Sequence, residues 1–423
     1  MQTTLLGLAN KASCDKAHRF RNLFGLLTAG FLWWCWRFVN PRAAAGVDRL
    51  TARAYGENLL ENLAELVGAV KAESYRSKWI LRKYIPKPNG KLRPLGIPAI
   101  ADKVLQMAVA KILEAIYEAD FLPCSYGYRP RRGALDAVRD LSHTLHHGEY
   151  HYVVEADIQG FFDPISHERL MVMLEERIDD RPFLGLIRRW LKAGILETDG
   201  RIVRPEEGTP QGGVVSPVLA NVYLHTVLDK WHEEVVKAHC RGAAYFCRYA
   251  DDFVAAFQYE ADARRFHAAL GKRLGEYGLS LAEDKTRLLD FSRNRRRNRE
   301  AFEFLGFEFR WGLSRRRMPI LKRRTATKKY RAALASFTVW CRDNRQLPKR
   351  ELFARFAAKL RGYYQYYGIR GNGKRLWNFF HQAKRILLKT LNHRSQRRSY
   401  NWTGFADLLE YFKVPLPKIC HIF

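Results

Sequence analysis

A chain of 423 residues is longer than one ordinary core needs, so two or three subdomains are expected. Hydrophobic residues at 47% exclude wholesale disorder. A balance of 73 Lys plus Arg against 43 Asp plus Glu gives a net charge of +30 and calls for a polyanionic partner, nucleic acid foremost.

Residues 1 to about 75 read as helical, with a break at Asn40-Pro41 and a turn at Gly46-Val47-Asp48. Within them the apolar run Leu23–Trp36 is too short for a bilayer, which takes ~20 residues, and too late for a signal peptide. It predicts a buried helix, and no membrane association. ILRKYIPKPNGKLRPLGIP (80–98) predicts a β-hairpin, because two strand-like arms flank Pro88-Asn89-Gly90. Helical spacing returns from Ala101 to Ala119. HYVVEADIQGFF (151–162) predicts a strand, and Asp163-Pro164 reads as an N-cap followed by proline at the first helical position.

A helical stretch near 168–194 leads to the loop EEGTPQGGVVSP (206–217) and the helix VLANVYLHTVLDKW (218–231). AAYFCRYADDFVAAF predicts a hairpin, followed by a helix near 260–277, a strand around Gly278–Leu289, and a turn-and-strand segment at FEFLGFEFR (302–310). This mixture is α+β in type. Beyond about Phe291 basic runs appear (Arg295–Arg297, Arg315–Arg317, Lys322–Arg324), then a mostly helical region with aromatics between Tyr363 and Phe380, and a second basic cluster from Arg394 to Arg398. The aromatics read first as core. Domain boundaries are expected near 315 and 390.

The seven cysteines are odd in number and never spaced as CxxC, which argues for reduced thiols in a cytoplasmic protein and against disulfides or structural zinc. GIRGNGK (368–374) lacks the Ser or Thr that a P-loop needs, and His143, His146 and His147 read as a solvated helix end.

Carboxylates remain. Asp157 ends a strand of buried character, where an acid is costly without a cation or donors. Asp251 and Asp252 are neighbours that repel each other on a tight turn. Each alone has a bland reading, as a cap or a turn acid. Together, in a chain of polyanion-binding charge, they could supply the oxygen ligands that Mg²⁺ prefers.

In order along the chain, IPKPNGKLRPLGIP, SYGYRPRRGALDA, VEADIQGFFD, GTPQGGVVSPVLANVYL, RYADDF, GLSLAEDKT and FEFLGF resemble the fingers and palm motifs of reverse transcriptases encoded by bacterial group II introns. YYQYYGIRGN, LNHRSQRRSYNW and VPLPKICHIF resemble the thumb (maturase, or X) region and chain end of the compact members, without an HNH endonuclease. The resemblance implies a right-hand polymerase: a helical fingers extension over 1–75, fingers and palm over 76–314, a helical thumb over 315–390, and a basic segment suited to DNA binding over 391–423. It implies an RNA template, a DNA or RNA primer, dNTPs, intron RNA and target DNA as partners. Two Mg²⁺ ions are implied, with Mn²⁺ as a substitute.

Residue by residue, the resemblance makes Asp157, Asp251 and Asp252 metal ligands and catalytic acids, with the carbonyl of Ile158 completing one shell. Lys87 and Arg93 would grip the triphosphate, Phe162 would exclude a ribose 2′-hydroxyl, and Gln211 and Gly212 would back the nucleotide. Lys285 would protonate the leaving pyrophosphate. Two other functions stay open: a domesticated relative in DNA repair or phage defence, and an RNA-binding splicing factor without polymerase activity. Some repair-type relatives carry isoleucine where Ala250 stands, whereas alanine there resembles the intron-encoded members. Gln159 replaces a common lysine, and the ending HIF is shorter than the usual His-Pro-Tyr-Pro type.

Overall fold

The computed structural model describes residues 2–86, 90, 92–209, 211–293, 300–394 and 399–423. Lys87, the turn residues Pro88-Asn89, the run Arg295–Arg297 and most of the cluster ending at Arg398 lie outside them. Two compact units emerge, one built from Met1–Ala134, Ala156–Ala255 and Tyr259–Leu288, the other from Leu135–Glu155, Ala256–Gln258 and Leu289–Phe423.

The first unit opens with helices Gln2–Cys14, Ala29–Trp36, Ala52–Glu57 and Leu59–Lys71. The apolar run 23–36 is not one helix. A 3₁₀ turn at Phe24–Leu26 precedes Thr28, whose Oγ1 accepts the Phe31 N–H at 3.2 Å and so caps a new start. The hairpin forms as expected: β1 (Ile80–Pro86) runs antiparallel to β2 (Leu92–Ile97), from Leu81 opposite Ile97 to Pro86 opposite Leu92. Helix Ile100–Tyr117 then presents Val104, Leu105, Ala108, Val109, Ile112, Leu113 and Ile116, all at 0% exposure. Apolar residues on nearly every side make it the central rod of this unit. Helices Gln2–Cys14, Ala29–Trp36 and Ser216–Leu224 pack against it.

The strand at HYVVEADIQGFF is β3 (Tyr152–Asp157). The helix expected after Asp163-Pro164 begins later, at His167, with Ser166 as its cap accepting the Arg169 N–H at 3.3 Å. The cause is tertiary. The carbonyls of Phe162 and Ile165 each accept an N–H, from Thr209 and Gly208 respectively, both at 2.8 Å, which holds this segment out of helical geometry. Short strands β4 (Ile195–Leu196) and β5 (Ile202–Val203) extend the first sheet to the order β2-β1-β4-β5.

Strands β6 (Ala244–Tyr249), β7 (Asp252–Phe257) and β8 (Arg287–Asp290) join β3 in a second sheet ordered β6-β7-β3-β8. The strand expected around Gly278–Leu289 is shorter than its apolar pattern suggested. Leu281 makes a single bridge to Ile158, a 3₁₀ turn follows at Glu283–Lys285, and only then does β8 start.

In the second unit β9 (Ala301–Phe304), β10 (Phe307–Leu313) and β11 (Pro319–Thr325) form a meander, with Leu305-Gly306 as the first turn. β11 was not anticipated, because Lys322-Arg323-Arg324 reads as a charge run. Alternation explains it, since Leu321 and Thr325, on either side of the basic run, both turn inward. Helices Thr327–Asp343, Lys349–Tyr367, Gly373–Asn392 and Trp402–Tyr411 enclose a core containing Phe337, Phe356, Tyr364, Phe379 and Phe405. Tyr363 lies flat on Phe379, ring centroids 3.7 Å apart, so most of the aromatic series is core. The histidine cluster is not wholly solvated: His146 stacks on Trp311, and its Nδ1 accepts the Leu321 N–H at 3.4 Å. Among the described residues no helix is long and apolar enough to cross a membrane.

Candidate active site

Every described site residue named from the sequence falls in the first unit. Asp157 closes β3 and Asp252 opens β7, and these strands are neighbours in the sheet. Asp251 occupies, with Ala250, the two-residue connection between β6 and β7. Such a connection requires left-handed backbone, and Ala250 supplies it at φ 56°. Gly127 lies against this turn. A Cβ on Gly127 would stand 2.4 Å from the Ala250 nitrogen, so only glycine fits.

The segment after Leu279 is laid along the end of β3. The Asp157 carbonyl accepts the Ala282 N–H at 2.9 Å, and Gln159 N–H donates to the Ser280 carbonyl at 2.9 Å. This pairing buries Ile158 and brings Lys285 to Asp157, whose Oδ2 accepts a hydrogen bond from Nζ. Asp157 is the more enclosed partner, with a side chain 16% exposed against 61% for Lys285. The bond to Asp157 holds the lysine pKa above its ordinary value.

Arg93 on β2 meets the glycine-rich loop. Its Nε donates to Gln211 Oε1 at 3.0 Å, and the Gly96 N–H donates to the Gln211 carbonyl at 2.6 Å. Gly212 follows at φ 113°, and a Cβ there would sit 2.4 Å from the Gly96 carbonyl oxygen. The loop is anchored on its far side by Gln106, whose Oε1 accepts the Val214 N–H at 2.9 Å. Phe162 is buried edge-on to Phe161, ring centroids 5.2 Å apart. Lys87 lies outside the described residues.

Electrostatics link these groups. Burial pushes the Asp251 carboxyl above the usual range, and the negative charge of Asp157 adds to it, while Arg93 and Lys285 oppose. Burial and then the Asp251 charge also raise the Tyr128 hydroxyl. Tyr128 was missed as an individual residue, although SYGYRP was singled out. A non-glycine residue at φ 58° and 46% exposed beside the acids is legible only in three dimensions. Arg248 was missed too; it lies wholly buried beneath the turn.

Among the described residues no three His, Cys, Asp or Glu side chains converge as a ready ligand cluster. The donor chemistry nonetheless fits a hard divalent cation. Asp157 already holds a cationic partner, and ionising Asp251 beside it is disfavoured until positive charge arrives.

The comparisons with known proteins agree with one another. The family described as reverse transcriptase (RNA-dependent DNA polymerase) matches residues 85–309, more than half of the chain. Protein YkfC of Escherichia coli (strain K12) is 34% identical over 279 residues, covering 58% of this chain and 73% of that protein. The group II intron-encoded protein LtrA of Lactococcus lactis subsp. cremoris is 41% identical over 182 residues, covering 43% of this chain and 29% of LtrA. An uncharacterized 91 kDa protein in the cob intron of Schizosaccharomyces pombe is 37% identical over 176 residues, covering 42% of this chain and 21% of that protein. The match to this chain thus spans under a third of each of these two intron proteins. With an α+β polymerase unit and a helical C-terminal region, it belongs to the reverse transcriptase family of RNA-dependent DNA polymerases.

Proposed function

We propose that this chain is a group II intron reverse transcriptase and maturase, which extends a primer 3′-hydroxyl on an RNA template with dNTPs and binds intron RNA during splicing and mobility. The observation that carries the chemistry is the meeting of Asp157 and Asp251 in one electrostatic neighbourhood with Arg93 and Lys285, beside the Asp252 strand end. The intron assignment is supported by the intron-encoded relatives.

In this reading Asp157, Asp251 and Asp252, with the Ile158 carbonyl, hold two Mg²⁺ ions, or Mn²⁺ in their place. Bound there, the ions supply charge that favours an ionised 3′-hydroxyl and offsets the triphosphate. Arg93, with Lys87, draws the phosphates toward the acids, and its bond to Gln211 fixes the angle of approach. Gln211 and Gly212 form the backing of the nucleotide, and Phe162 excludes a 2′-hydroxyl beneath the sugar. Lys285 stays protonated through its bond to Asp157, the state a proton donor to pyrophosphate needs.

We assign residues 1–75 to the fingers extension, 76–314 to fingers and palm, 315–390 to the thumb, and 391–423 to a DNA-binding tail, in a cytoplasmic protein acting on target DNA. Purified chain, a primed RNA template, dNTPs and Mg²⁺ should yield cDNA, and a group II intron RNA should bind in preference to an unrelated RNA of equal length. Absence of cDNA would favour the RNA-binding splicing factor. Robust cDNA synthesis with no preference for intron RNA would favour the domesticated polymerase.

A further inference from the structure

Arg248 and Asp229 are both 0% exposed, and a buried ion pair is a poor choice for stability alone, because apolar residues of similar volume serve a core as well. Here the pair is bidentate, Nε to Oδ1 at 2.7 Å and Nη2 to Oδ2 at 2.5 Å. Asp229 projects from a π-helical stretch, His225–Val236, that continues helix Ser216–Leu224. That wider winding is rare and is frequently found at functional sites.

The guanidinium does more than pair. Nη2 also donates to Ser125 Oγ at 2.8 Å, while Nη1 donates to Asn221 Oδ1 at 3.2 Å and to the carbonyl of Ala250 at 3.0 Å. All five N–H groups of the arginine therefore have acceptors. The Ala250 carbonyl belongs to the left-handed residue that turns the chain into Asp251. Such backbone persists only where its surroundings over-determine it. Asn221 adds a second hold, its Nδ2 donating to the carbonyl of Gly127, the residue packed against the same turn.

We propose that Arg248, oriented by Asp229, is a positioning residue that fixes the Ala250-Asp251 turn and so the direction in which the two carboxylates point. It touches no reacting atom and acts through the backbone. The inference rests on the polymerase reading of Asp251 and Asp252. Lysine could keep the charge opposite Asp229, but its three donors around one nitrogen cannot reproduce the planar fork.

Arg248→Lys in the full chain tests this. The variant should unfold cooperatively and bind primer–template within about threefold of wild type, while kcat falls about 30-fold or more at nearly unchanged KM for dNTP, the signature of misplaced groups. Its half-saturating Mn²⁺ concentration, read by electron paramagnetic resonance without substrate, should rise several-fold. A folded Arg248→Lys with kcat and Mn²⁺ affinity within twofold of wild type overturns the proposal. So does a loss that follows the unfolded fraction and returns on cooling. If Arg248→Lys does not fold, Ser125→Ala removes a single contact. It should lower kcat about three- to tenfold at an unchanged thermal midpoint, and an unchanged kcat overturns the proposal. If the wild-type chain extends no primer, the polymerase reading fails instead, while equal Mn²⁺ binding by wild type and Arg248→Lys still overturns positioning.

Discussion

Arg93 Nε donates to Gln211 Oε1 at 3.0 Å, so strand β2 and the loop ahead of helix Ser216–Leu224 meet at a charged group. A cation held this way has little freedom left to give up when a triphosphate arrives. Arg93→Ala should raise the KM for dNTP about 10- to 100-fold, the loss expected for a hydrogen bond to a charged partner, with a smaller change in kcat. Arg93→Lys should fall between, because it keeps charge but not the fork. Steady-state kinetics on a primed RNA template would decide, and an unchanged KM in Arg93→Ala would remove the residue from triphosphate binding.

Asp251→Asn separates stability from activity. Its carboxyl is raised by burial and by the charge of Asp157, so the ionised form strains the folded state. The amide should therefore leave the thermal midpoint unchanged or higher, while primer extension falls about 10²–10³-fold or more. A lowered midpoint would show that the carboxylate serves the fold.

If Asp251 holds metal as proposed, the same raised carboxyl should set the acidic limb of the activity profile. Activity needs the ionised acid, so it should appear only as pH rises past a point above the ordinary carboxylate range. Divalent cation binds the ionised form, so raising Mg²⁺ should move that limb to lower pH. Rate–pH curves at two Mg²⁺ concentrations would test this, and an immobile limb would count against a metal role for Asp251.

Asp102 offers a stability test away from the site. It is 3% exposed, accepts hydrogen bonds from the Tyr75 hydroxyl and the Lys78 N–H, and is pushed by burial from 3.8 up to about 6. The folded state then binds more protons than the unfolded chain between those values, so stability must fall as pH rises through that window. The loss is on the order of 2–3 kcal/mol if the whole shift is realised. Denaturant unfolding at pH 4 and pH 6.5 should reveal this loss in wild type and not in Asp102→Asn.

Much of the fold was legible because its signals are local. The β1–β2 hairpin follows from Asn89-Gly90, and helix Ile100–Tyr117 from its apolar spacing. The helix expected after Asp163-Pro164 slid to His167 because Gly208 and Thr209, distant in sequence, claim the intervening carbonyls. The proposed acids Asp157, Asp251 and Asp252 could be named in advance as a group, but the buried Arg248 beside them could not. An arginine in a strand looks like surface, and only its partners Asp229, Asn221 and Ser125, on three other segments, reveal that it faces inward. One faint signal existed, since Arg248 sits between Cys247 and Tyr249 in a stretch otherwise free of charge up to the acid pair.

The left-handed backbone at Ala250 makes that position a size gauge. Alanine already bears φ 56° at a cost of roughly 1–2 kcal/mol, and a side chain branched at Cβ, such as isoleucine, tolerates that backbone less well still. The turn cannot retreat to relieve it, because Gly127 lies directly behind. The strain would pass along the chain to the next residue, Asp251. A substitution at this one position could thus shift the proposed ligand Asp251 while leaving every acid in place.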